Sequence, residues 1–152
     1  GKNPAKTPAW AKHGAGGSWE FQDGIDQEVV CNMMIPVDAD RDEDMTLCIG
    51  WSTAPTALDC SWAIEYLFTS VNESVLGATA GDQSYEESSE TANGLNRSDF
   101  TIAAAGISDN DLCVHLTIRR DATDILDTIG ASVFFDGVAL KYVKKNMGED
   151  LP

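Results

Sequence analysis

Hydrophobic and polar positions alternate along much of this chain with a period of two. The run is longest over residues 111–142, where Leu112, Val114, Leu116 and Ile118 point one way and Cys113, His115, Thr117 and Arg119 the other. After a loop rich in Arg and Asp, Phe134, Val138, Leu140 and Tyr142 resume the alternation. Successive side chains of a strand point to opposite faces, so this pattern predicts strands with one face on a core. The same reasoning predicts strands over residues 28–35, ended by Pro36, over 46–52, where Leu47, Ile49 and Trp51 share a face, and over 61–70, where Trp62, Ile64, Tyr66 and Phe68 do. Trp19-Glu20-Phe21 opens the ordered body, and residues 99–103 read as a short strand. An edge strand is expected near 83–91, within the polar, Gly-punctuated stretch 71–97. Residues 103–107 are too short and too close to Gly to make a helix.

About eight strands without a helix predict an all-β, two-sheet β-sandwich of the jelly-roll type rather than a closed up-and-down barrel. The expected core is Trp51, Trp62, Ile64, Tyr66, Phe68, Leu116, Ile118, Phe134, Val138 and Leu140. A chain of 152 residues is one domain by size. Its expected division is an extended arm over residues 1–18, the sandwich over 19–143 and a polar tail over 144–152. The arm is read as lacking a fold of its own because it mixes Pro, Gly and Ala with scattered Lys.

Charge sharpens that division. Three of the ten Lys and Arg, namely Lys2, Lys6 and Lys12, fall in the arm, which has no acid; the other seven face all 25 acids, a net of −18 for residues 19–152. Such a body repels nucleic acid and anionic membranes, so neither is expected as a partner. A basic arm carrying Trp10 suits clamping a like body or another acidic surface, and a solubilising terminus is the plainer alternative. No run of 18 apolar residues is present to span a membrane as a helix. Cys31, Cys48, Cys60 and Cys113 show no CxxC pair or zinc spacing and read as small reduced hydrophobes.

Candidate chemistry is sparse. Asp38, Asp40 and Asp42 open like a calcium loop, but Glu43 stands where the glycine belongs and Ile49 where the bidentate Glu does, so they remain weak metal candidates. Arg119, Arg120, Asp121, Asp124 and Asp127 lie within nine residues. Adjacent carboxylates of one loop do not face each other across a sugar-sized cleft, so a structural clasp, within the fold or across a subunit seam, is the better reading. His115 and Cys113 point the same way, but a flat strand face offers no oxyanion donors. No motif for a cofactor, a phosphate or a catalytic nucleophile occurs, and the expectation is no enzyme and no cofactor.

Five spaced motifs carry a family resemblance: Asp23-Gly24 with Asp26-Gln27-Glu28-Val29; Ile49-Gly50-Trp51-Ser52; Ser61-Trp62-Ala63-Ile64-Glu65-Tyr66; Leu116 with Arg119-Arg120-Asp121-Ala122-Thr123-Asp124 and Asp127-Thr128; and Gly137-Val138 with Tyr142. Over about residues 20–143 the chain resembles a family of small tailed-bacteriophage virion accessory proteins. The resemblance implies a jelly-roll sandwich, a homotrimer and no catalysis. It also implies residence on the virion, as a capsid decoration or cement protein bound to the major capsid protein or other virion proteins. The alternative is a tail-fibre or tail-tip adhesin, a carbohydrate-binding module whose 71–97 loops contact a host glycan. Lys2, Lys6, Trp10 and Lys12 of the arm, with Arg119, Arg120, Asp121, Asp124 and Asp127, are the expected interface residues.

Overall fold

The computed structural model describes residues 7–75 and 81–145. Nine strands make up its regular structure: β1 Ala9–His13, β2 Gly16–Phe21, β3 Gln27–Met34, β4 Met45–Thr53, β5 Asp59–Thr69, β6 Gly81–Ser88, β7 Asn96–Ile102, β8 Cys113–Arg120 and β9 Val133–Lys141. The one helical piece among the described residues is a 3-10 turn at Ala104–Gly106. All pairings are antiparallel, in a five-stranded sheet β1-β2-β9-β4-β7 and a four-stranded sheet β3-β8-β5-β6. Without β1, the order 2-9-4-7 over 3-8-5-6 is that of an eight-stranded jelly roll, in which the chain crosses repeatedly from sheet to sheet.

The sandwich closes on the faces that the alternation marked. Along β7, Asn96, Ser98, Phe100 and Ile102 are buried while Arg97, Asp99 and Thr101 are exposed; along β8, Val114, Leu116, Ile118 and Arg120 are buried. Trp62 sits at the centre, with Phe21 edge-on at 5.3 Å and Trp51 and Phe135 each at 6.4 Å between ring centres. Each large apolar side chain removed from water here contributes roughly 1.5–3 kcal/mol. The four thiols are unpaired with one another, and Cys60 lies within the core.

Three expectations change. Residues 9–18 of the expected arm are not unstructured: β1 and β2 form a hairpin that closes the edge of the five-stranded sheet, continuous with the ordered body expected from Trp19. Gly14, at φ +60, opens a two-residue turn, and the glycine content that reads as flexibility serves that turn. Trp10 lies opposite Trp19 across the hairpin and packs edge-on to it at 5.2 Å, and β2 then pairs with β9. Second, Phe134 is not a core residue. A bulge sets Gly50 opposite Gly137 but Trp51 opposite Phe135, so Asp136 is the extra residue and the inward set switches phase: Val133 and Phe135 before it, Val138 and Leu140 after it. Phe134 faces outward and stacks on His13 at 3.9 Å. Tyr66, Val138 and Leu140 are half-buried at the margin of the core. Third, the start of the polar tail is paired, through a bridge from Lys144 to Ala39.

Candidate functional site

The Arg-Asp stretch after β8 is a structural clasp with an apolar tip. Arg120 ends β8 on its inward face and is completely buried. Its Nε and Nη2 donate to both carboxylate oxygens of Asp127 at 2.9 and 2.8 Å, and Nη2 also reaches the Ile129 carbonyl at 2.8 Å. Its Nη1 donates to the carbonyls of Ala131 at 2.9 Å and of Phe21 and Gln22 at 3.3 Å. Burial works to lower the pKa of Arg120, but the Asp127 hydrogen bonds and nearby negative charge outweigh it and hold the group above its ordinary value. Burial likewise pushes the neighbouring Cys60 thiol well up.

The loop over residues 121–132 is tied down on both sides. Asp121 N donates to the Ser61 carbonyl, Ser61 N to Asp127 Oδ2, and Thr128 N to the Asp59 carbonyl. Thr123 donates through its amide and its hydroxyl to Asp26 in the β2–β3 turn. Asp124 accepts from Leu126 N and closes the tip. Arg119 faces away from Arg120, because neighbouring strand residues alternate, and pairs with Asp121 on the outside. The five predicted residues therefore separate into a buried pair, an outer pair and a turn residue. Between them, Ile125 and Leu126 stand 91% and 51% exposed.

The remaining predicted residues are dispersed. Trp10 and Lys12 are exposed on β1, while Lys2 and Lys6 lie outside the described residues. Asp38 takes Lys144 and the Tyr142 hydroxyl, and the Lys144 hydrogen bond holds its pKa below the ordinary value. Asp40 accepts from Asp42 N, and Asp44 accepts from Ala104 N. Among the described residues no group of three or more His, Cys, Asp or Glu could hold a metal ion. His115 is engaged on both nitrogens, with Asn32 at 2.8 Å and Thr69 at 3.0 Å. Residues 76–80 of the 71–97 stretch lie outside the described residues.

A second constellation lies on the outer face of the five-stranded sheet. The bulged Asp136 accepts from the Ser18 hydroxyl on one oxygen and from the Ser52 hydroxyl, at 2.9 Å, on the other. Ser52 Oγ also lies 3.1 Å from His13 Nε2. The serine stands between the imidazole and the carboxylate, so no base is oriented by an acid as a nucleophilic triad requires. Beside this cluster opens a cleft of about 380 Å³, whose lining includes Cys48, Gly50, Leu95, Arg97, Gly137 and Ala139. Arg97 donates through Nε and Nη2 to Asp99 at 2.6 and 2.7 Å, and that bond holds the Asp99 carboxyl below its ordinary pKa. The only sequence signal for this face is a pair of glycines inside two strands, a mark of bulges and of close approach by another group.

No family model matches the chain, and no curated protein matches its sequence. Among solved structures it is similar to the carbohydrate-binding module CBM28, described as specific for non-crystalline cellulose, at 13% identity over 91% of this chain and 83% of that one, TM-score 0.49. It is similar to a chain of infectious bursal disease virus strain Gx at 11% identity over 97% of this chain and 33% of that one, TM-score 0.47. It is also similar to the enzymatically active domain of tailspike protein 4 of bacteriophage CBA120, at 9% identity over 84% of this chain and 16% of that one, TM-score 0.45. Likenesses of this depth concern architecture alone.

Proposed function

We propose that this protein is a non-enzymatic component of a tailed-phage virion, a capsid decoration protein that docks through the loop over residues 121–132. The observation that carries this reading is the braced apolar tip. Four residues of the predicted interface, Arg119, Arg120, Asp121 and Asp127, are spent on ion pairs that hold the loop, and Ile125 and Leu126 are left in water at its end. Exposing apolar side chains on a fixed loop costs free energy unless a partner covers them. Shell proteins and neighbouring copies are the partners that the family resemblance implies, and a trimer is the assembly it implies.

The test is Ile125→Asp with Leu126→Asp, which touches no clasp residue. The variant keeps the thermal transition of the parent but no longer cosediments with particles. Unchanged particle binding refutes docking by this loop. Sedimentation equilibrium of the parent chain checks the trimer. A second reading, a glycan-binding module at a tail tip, is favoured by one observation, the open cleft on the five-stranded sheet.

A further inference from the structure

The strand register builds the floor of that cleft. β4 lies between β7 and β9, and two adjoining cross-strand rows read Asp99–Cys48–Ala139 and Arg97–Gly50–Gly137. The middle and β9 columns thus hold only a thiol, a methyl and two glycines, on a floor about 10 Å across from β7 to β9. Leu95, 75% exposed, leans over the glycine row: a Cβ at Gly50 would lie 3.3 Å from Leu95 Cδ1. The Arg97–Asp99 pair forms the β7 wall, and Asp136, held by Ser18 and Ser52, closes the end toward His13 and Phe134.

The lining selects a ligand class. The charged residues that line the cleft are one cation and one anion, Arg97 and Asp136, with Asp99 and Lys141 beside them. Glu87 and Glu90 lie in the depression that adjoins Leu95 and Arg97, so the cleft offers no net positive charge to an anion. A polyanion is repelled by the body, and the guanidinium that would take a phosphate is already forked onto Asp99. A wholly apolar ligand would strip water from two carboxylates without replacing it. Asp136 has about four acceptor positions, two of them taken by the serine hydroxyls, so it accepts further hydroxyl donors. Leu95 and Ala139 offer methyl groups to the C–H face of a ring. A few polar groups around a small apolar floor, with a volume near the lower end of ligand sites, fit a molecule that carries hydroxyls on an apolar ring.

We infer that the cleft between β7, β4 and β9 binds a neutral oligosaccharide, with Asp136 and the Arg97 Nη1 group, which is outside the fork to Asp99, taking its hydroxyl groups. This deepens the glycan-binding reading and does not depend on docking through Ile125 and Leu126. The test titrates the full chain with maltohexaose, cellohexaose and mannohexaose, and with oligogalacturonate as the acidic comparison, by calorimetry and by amide chemical shifts. At least one neutral probe saturates and shifts the amides of Gly50, Arg97 and Gly137. Arg97→Ala and Asp136→Asn each weaken binding about tenfold or more, the loss expected for one charge-assisted hydrogen bond. Ala139→Ile blocks the floor without entering the core, and thermal melts verify that all three variants keep the fold. If no neutral probe saturates the parent chain, the glycan-binding reading itself falls. Binding that persists in all three variants overturns the cleft and leaves that reading with another surface. Preference for oligogalacturonate overturns the ligand class.

Discussion

Replacing Arg120 by Met keeps the bulk of the side chain and removes its charge and all its donors. Asp127, with a side chain as fully buried as that of Arg120, then keeps the amide of Ser61 at 3.2 Å and the neighbouring Cys60 thiol, both neutral donors, against its negative charge. Removing one member of a buried ion pair costs about 3–5 kcal/mol. The carbonyls of Phe21, Gln22, Ile129 and Ala131 lose their donor together, and those that water does not reach add about 1–3 kcal/mol. The total is a large share of the roughly 5–15 kcal/mol by which a domain of this kind is stable. In Arg120→Met with Asp127→Leu no charge is left stranded, so the double variant is more stable than Arg120→Met, lacking the donors to the carbonyls and the acceptor of the Ser61 amide. Urea unfolding in reductant, compared by midpoint at constant slope, measures both. A loss below about 1 kcal/mol in Arg120→Met, or a double variant no more stable than the single, refutes the buried clasp.

Two further outcomes follow from the hairpin and from the ion pairs. In Gly17→Val the new Cβ would fall 2.5 Å from the Trp10 ring, so the indole leaves Trp19; tryptophan emission shifts and stability falls by about 1 kcal/mol, whereas unchanged emission would show that the two rings do not pack in solution. Asp38 and Asp99 have folded pKa values below the ordinary one, because Lys144 and Arg97 hydrogen-bond to their carboxylates. Their contribution is present above the unfolded value of about 3.9 and is lost as pH falls through it toward the folded values. Asp38→Asn with Asp99→Asn therefore flattens the fall in melting temperature between pH 5 and pH 2, and an unchanged slope counts against both pairs.

The fold class was legible because alternation needs only the order of residues. Trp62, Ile64, Leu116 and Ile118 are buried where a period of two puts them, and β6 pairs at the sheet edge where its polarity suggested. Two local features were opaque. The hairpin of β1 and β2 is written in glycine and alanine, and what makes it a strand pair is Trp10 against Trp19 and the docking of β2 on β9. The bulge at Asp136 could not be read from β9 alone, since the extra residue exists only relative to its partner β4. That slip turned Phe134 outward and brought Asp136 beside Ser18 and Ser52, residues 118 and 84 positions away in the chain.

By itself the sequence determined the kind of element, the side of each strand that seeks the core and the acidity of the body, all properties of local order and composition. Only the tertiary structure decided what Arg119, Arg120, Asp121, Asp124 and Asp127 do. Strand alternation sends one guanidinium into the core and its neighbour to the surface, but burial requires the second sheet to close over it. It likewise decided that Gly50 and Gly137 lie side by side, because a cleft is a relation between strands and no single strand contains it.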